Sequence, residues 1–95
     1  MNLEEVLKSG NYQLIDVREP MELEMDGEIE GAENIPLGEV EDRKDEILSI
    51  DKPVVIFCRS GNRSGKALEL LNNEGLKEGY NGGGWAELKE KIENI

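Results

Sequence analysis

The residues best suited to chemistry lie in one stretch, Cys58 to Gly65, which contains the only cysteine of the chain. This stretch follows an apolar run, Val54 to Phe57, and precedes a pattern typical of a helix. A thiol in a tight loop between a strand and a helix faces main-chain N–H groups and the positive end of the helix dipole. Such groups bind anions and favour thiolate over thiol, so we expect the pKa of Cys58 to lie below the free value of roughly 8.5. The sequence therefore predicts a cysteine nucleophile in an anion-binding loop.

The residues around the thiol favour this interpretation over a structural one. A lone cysteine is usually a small buried hydrophobe. However, packing does not require two arginines, Arg59 and Arg63, directly after a core strand. Between them, Ser60, Gly61 and Asn62 suit turn positions and left-handed backbone geometry.

Composition excludes several other kinds of chemistry. The chain has 95 residues, which predicts one domain over residues 1–95, and a formal net charge of −11. That charge argues against nucleic acid or an anionic membrane surface as a partner. Histidine is absent, which removes Cys-His and Ser-His catalysis and, with a single thiol, leaves no set of zinc ligands. We therefore expect neither a metal nor a cofactor.

The single cysteine also rules out an internal disulfide and a Cys-x-x-Cys redox pair. No apolar stretch resembles a signal peptide or a membrane span. We therefore expect a soluble, cytoplasmic protein of a reducing compartment, and a monomer.

Hydrophobic periodicity predicts alternating helices and strands around the loop. Helices are predicted over residues 2–9, from Glu19-Pro20 through Met21 to Met25, from Gly38 to Ile50, after the cysteine loop up to Asn73–Gly75, and around Trp85, Leu88 and Ile92. Strands are predicted from Tyr12 to Val17, near Asn34-Ile35, from Val54 to Phe57 and, weakly, from Lys77 to Asn81. The two methionines of the second helix are expected to fill the core, and Gly82 to Gly84 are expected to form a tight turn.

This order predicts an α/β fold with a mainly parallel central sheet flanked by helices on both faces. In such sheets the functional site lies beyond the carboxyl ends of the strands. We therefore expect Cys58, Arg18 and the segment Gly82–Gly84 at one edge. For Asp16 and Arg18, at the end of their strand, a tethering salt bridge and a direct role in the site remain open.

With these elements in place, the chain resembles the single-domain rhodaneses, the thiosulfate sulfurtransferase family, over nearly its full length. Three stretches carry the resemblance: Asp16-Val17-Arg18-Glu19, the segment Gly31 to Pro36, and the loop from Cys58 to Ser64. The resemblance implies that Cys58 takes a sulfane sulfur from a small anionic donor such as thiosulfate and forms a persulfide. The sulfur then passes to cyanide, a thiol or a sulfur-acceptor protein.

The resemblance also assigns roles to other residues. Asp16 and Arg18 match family positions that support the loop and the substrate entrance. The residues that it implies for substrate binding are Arg59, Ser60, Gly61, Asn62, Arg63 and Ser64.

Two alternatives stay open at this point. An arsenate reductase or cysteine phosphatase also uses a thiolate in an anion loop that ends in arginine. Its loop normally has one more residue than the segment Arg59 to Asn62 that separates Cys58 from Arg63 here. The other alternative is a binding or sulfur-relay module, in which Cys58 serves a partner protein instead of turning over a small molecule.

Overall fold

The chain folds around a four-stranded parallel sheet, described for residues 1–95 by a computed structural model. Along the chain the elements are α1 (Leu3–Ser9), β1 (Gln13–Asp16), α2 (Pro20–Asp26), β2 (Glu33–Asn34), α3 (Leu37–Val40), α4 (Lys44–Leu48), β3 (Val54–Cys58), α5 (Asn62–Asn73), β4 (Gly79–Gly84) and α6 (Trp85–Glu93). The strand order is β2-β1-β3-β4, and every neighbouring pair is parallel. The predicted fold class is confirmed.

Strand β3 separates the two halves of the core. All of its residues are buried, because it has a strand on each side and helices on both faces. Successive side chains of a strand point to opposite faces. Val54, Ile56 and Cys58 therefore join the apolar cluster under α3, α4 and α5, whereas Val55 and Phe57 join the cluster under α1 and α6. This alternation directs the Cys58 side chain towards α5.

The prediction of one helix from Gly38 to Ile50 was wrong. The structure has two short helices, α3 and α4, with a turn between them. Val40 and Ile47 are both completely buried, and no apolar residue lies between them to hold the intervening turn of a continuous helix on the core. Helical stability in proteins comes mainly from such packing, so the backbone breaks where the packing is missing.

The prediction that the methionines of α2 fill the core was also wrong. Met21 and Met25 are 68% and 76% exposed. They lie four residues apart and so share one face of the helix, while Leu23, which is partly buried, lies on the opposite face. Because Leu23 turns towards the protein, both methionines turn towards solvent.

The third correction concerns Gly82 to Gly84, which do not form a tight turn. They are the last residues of β4, where a register shift relative to β3 marks a bulge, and α6 follows at once. A Cβ at Gly82 would lie 2.9 Å from side-chain atoms of Leu88 and Val55. Glycine therefore allows this strand to approach its neighbours closely.

None of the helices has the length and apolar character of a membrane-spanning segment.

Candidate active site

The predicted site lies at the carboxyl edge of the sheet, between the end of β3 and the start of α5. Cys58 is the last residue of β3, and Asn62 is the first residue of α5. The connection turns at Gly61, which has a φ of 97° and so adopts the left-handed conformation that favours glycine. Ser60 and Asn62 were also expected to tolerate this geometry, but no residue other than glycine has a positive φ. The turn directs several peptide N–H groups back towards Cys58.

The Cys58 sulfur is held by hydrogen bonds from the loop and the first turn of α5. The N–H of Gly61 donates to Sγ at 3.0 Å and the N–H of Ser64 at 3.4 Å. The Ser64 hydroxyl also lies 3.4 Å from Sγ. Burial raises the pKa of Cys58, but the hydrogen bonds from the Ser64 hydroxyl and from the N–H groups of Ser64, Ser60 and Gly61 together lower the pKa to about 7. The expected depression of the pKa is confirmed.

Asn81 of β4 fixes the loop and the Ser64 hydroxyl, a role that sequence reasoning missed. The Ser64 hydroxyl donates to Asn81 Oδ1 at 2.7 Å, and the N–H of Gly83 donates to the same oxygen at 2.9 Å. Asn81 Nδ2 donates to the Gly61 carbonyl at 3.0 Å. A hydroxyl has one hydrogen, so while Ser64 donates to Asn81 it accepts from the Cys58 thiol, and it can donate to a thiolate only by giving up the hydrogen bond to Asn81. The signal in the sequence was an asparagine directly before a glycine run.

The two loop arginines differ in their surroundings. Arg59 is exposed to solvent. Arg63 instead binds the carboxylate of Glu22 on α2, through hydrogen bonds of 2.7 and 2.8 Å. The hydrogen bond to Arg63 is the main reason why the pKa of Glu22 falls to about 2. Sequence reasoning did not single out Glu22, because it lies in a different element and nothing local marks it.

Asp16 and Arg18 form a buried ion pair at the end of β1. The Asp16 carboxylate accepts hydrogen bonds from the Arg18 N–H at 2.9 Å and from its Nη2 at 2.8 Å. Arg18 Nη2 also donates to the Gly27 carbonyl at the end of α2, and the guanidinium lies 4.7 Å from the centroid of the Trp85 ring. The pair therefore ties β1 to α2 and α6, which is the tethering role that the sequence left open.

A parallel α/β fold with a buried thiol in a loop of inward N–H groups is the arrangement that the sequence predicted for this chain. The rhodanese-like domain profile matches residues 2–91 of the chain. The chain belongs to the rhodanese-like family, as the sequence resemblance predicted.

Individual relatives agree with this assignment. The chain is 47% identical over 92 residues to the uncharacterized protein YqhL of Bacillus subtilis, covering 94% of this chain and 71% of YqhL. It is 35% identical over 75 residues to the thiosulfate sulfurtransferase PspE of Escherichia coli, covering 78% of this chain and 71% of PspE. Among solved structures, the human single-domain sulfurtransferase TSTD1 matches with a TM-score of 0.69 and 32% identity, over 94% of this chain and 90% of that one.

Proposed function

We propose that this protein is a sulfurtransferase that moves a sulfane sulfur from a donor such as thiosulfate to cyanide or a thiol, through a persulfide on Cys58. The observation that carries the proposal is the set of N–H and O–H groups around Sγ, with donors at 3.0 to 3.4 Å. They stabilise a negative charge on sulfur. A thiolate and an anionic persulfide are both such species.

The chemistry takes place in two displacements. First, the Cys58 thiolate attacks the outer sulfur of thiosulfate; a sulfur–sulfur bond forms on Cys58 while the one in thiosulfate breaks, and sulfite leaves. Next, the acceptor attacks the outer sulfur of the persulfide. With cyanide, a carbon–sulfur bond forms, thiocyanate leaves and the Cys58 thiolate returns. The low pKa of Cys58 keeps it ionised as the nucleophile of the first step and makes it a good leaving group in the second, so neither step requires a general base.

The proposed roles of the other residues follow their positions. Gly61 and Ser64 donate to the sulfur, and Ser60 supports the thiolate through its N–H. Arg59 and Arg63 meet the anionic donor, and Asn62 begins the helix whose positive end faces the site. Cys58 has no exposed surface, so a donor reaches the sulfur only after the covering residues move.

A sulfur-relay role with a partner protein is the second proposal, because the same persulfide would serve a protein acceptor. A reducing cytoplasm would suit either role, since the single thiol must stay free. Cysteine phosphatase or arsenate reductase chemistry is less favoured by the loop. One residue fewer between Cys58 and Arg63 brings the N–H groups closer to one sulfur atom than to the oxygens of a bound oxyanion.

A mass measurement tests the proposal. Incubation of the protein with thiosulfate should add one sulfur atom, and later addition of cyanide should remove it with release of thiocyanate. The Cys58→Ser variant, folded by circular dichroism, should show neither change. Retention of most of the thiocyanate production by this variant would contradict the assignment of Cys58. An aryl phosphate assay in parallel should show no turnover, and robust hydrolysis by the wild type would favour the phosphatase alternative.

A further inference from the structure

The ion pair between Glu22 and Arg63 joins two elements beside the cysteine loop. Glu22 lies on α2 and Arg63 lies in the first turn of α5, 41 residues further along the chain. Both guanidinium Nη atoms reach the carboxylate, Nη1 to Oε2 at 2.7 Å and Nη2 to Oε1 at 2.8 Å. This two-pronged geometry is the one by which arginine binds carboxylates and other planar or tetrahedral anions. The edge of the Arg63 guanidinium between its two Nη atoms is therefore already occupied by Glu22.

Arg63 belongs to the first turn of α5, which also holds the Cys58 sulfur. It directly precedes Ser64, whose N–H and hydroxyl contact Sγ. Glu22 chiefly, and the charge of Cys58 in addition, raises the pKa of Arg63. An anion bound to the free guanidinium would thus lie near the reacting sulfur.

Arg63 matters for anion binding because the neighbouring part of the chain is strongly acidic. Residues 19–42 contain ten acidic residues and no lysine or arginine, and this segment includes α2, which borders the site. An approaching anion is repelled on that side, and the repulsion grows with the charge of the anion. Glu22 offsets the charge of Arg63, one of the few cations that oppose this repulsion.

We propose that Glu22 is a specificity-determining residue: it competes with anionic donors for Arg63 and so lowers the affinity of the site for highly charged donors. A dianion such as thiosulfate must displace the Glu22 carboxylate to bind this edge of Arg63, whereas a neutral or singly charged donor depends less on Arg63. The consequence for donor choice rests on the proposed sulfur transfer. The competition for Arg63 itself does not, and it can be measured separately.

The variant Glu22→Gln tests the competition with little change of shape. Glutamine keeps an oxygen that can accept from the Glu19 N–H, which Glu22 does at 2.8 Å, but it removes the charge. The probes are iodoacetate, which is anionic, and iodoacetamide, which is neutral and of similar size. Cys58 is the only thiol, so the mass increase reports this residue alone. The ratio of the two rate constants cancels any change in the thiolate fraction.

We expect Glu22→Gln to raise the ratio of iodoacetate to iodoacetamide rates about two- to fivefold, the range for one partly exposed ion pair. The matched control is Glu24→Gln, which removes the same charge from an exposed position of the same helix and should leave the ratio unchanged. In the Arg63→Gln background, the additional change Glu22→Gln should lose most of its effect. In the thiosulfate–cyanide assay, Glu22→Gln should lower the KM for thiosulfate with little change in kcat.

Three results would overturn the proposal. An equal rise in both alkylation rates would show that Glu22 only covers the thiol. An equal response to Glu24→Gln would show an effect of overall charge, and a gain that persists without Arg63 would show that no competition for the guanidinium exists. A wild-type protein with no sulfur transfer at all would refute the proposed function but would leave the alkylation ratios, and so the competition for Arg63, intact.

Discussion

The low pKa of Cys58 predicts that the free energy of unfolding depends on pH. The pKa falls to about 7 in the folded protein, whereas an unfolded chain keeps the ordinary value of roughly 8.5. Below pH 7 the thiol is protonated in both states and contributes nothing. Above pH 9 it is ionised in both, and the folded state has gained the full hydrogen-bonding energy of the thiolate. Stability from this group is therefore present at high pH and is lost as the pH falls through 7.

The size of the effect follows from the two pKa values. They differ by about 1.5 pH units, and each unit corresponds to about 1.4 kcal/mol, so the contribution approaches about 2 kcal/mol. The comparison is between the wild type and Cys58→Ser, which has no titrating group at this position. The difference in their free energies of unfolding should grow by about 2 kcal/mol between about pH 6 and about pH 10. Other groups titrate in both proteins and cancel in the difference.

The assay is urea denaturation followed by circular dichroism at a series of pH values. The ultraviolet absorbance of the thiolate, followed over the same pH series, measures the pKa of Cys58 in the folded state independently. Ser64→Ala provides an internal check, because it removes one donor and leaves the N–H groups of Gly61 and Ser64 in place. It should reduce the increment by roughly half. A difference between wild type and Cys58→Ser that does not change with pH would refute the argument that the loop stabilises the thiolate.

Two further predictions concern residues at the carboxyl edge of the sheet. Asp16→Asn should lower the free energy of unfolding by about 3–5 kcal/mol in urea, because it leaves the completely buried Arg18 without its counter-charge; a loss near zero, like that expected for Glu24→Gln, would contradict the role of the pair. Gly84→Ala should lower kcat/KM for thiosulfate–cyanide transfer by about tenfold or more, because the new Cβ would lie 2.7 Å from the Arg59 carbonyl and displace the loop. The matched control is Gly38→Ala, where the Cβ meets nothing within 4 Å, and equal activity of the two variants would show that the loop tolerates the contact.

Local patterns in the sequence were sufficient for the main elements and for the candidate nucleophile. The run Val54 to Phe57 is apolar throughout because β3 is buried on both faces. The loop from Cys58 to Asn62 places its thiol, its left-handed glycine and the start of α5 within a few residues. Every hydrogen bond to the sulfur comes from residues within six positions of Cys58. Because these residues lie close together in the sequence, the sequence alone was sufficient to predict the candidate site.

The direction in which side chains face was harder to predict from the sequence. Met21 and Met25 are apolar residues at helical spacing, and only the orientation of α2 shows that they face solvent. The glycines at the end of β4 were predicted to form a turn because glycine is generally disfavoured in strands. The structure shows that the absence of side chains is what allows β4 to lie against α6 and the cysteine loop.

The electrostatic character of the site was decided only by tertiary structure. The sequence placed Arg63 beside the thiol, but its partner Glu22 is 41 residues away and is one of 22 acidic residues in the chain. Asn81, which binds the Ser64 hydroxyl, is 17 residues from that serine and belongs to β4, whereas Ser64 belongs to α5. No local pattern selects such partners, because the fold brings them together and the interaction depends on distances between side chains that only the packed elements define.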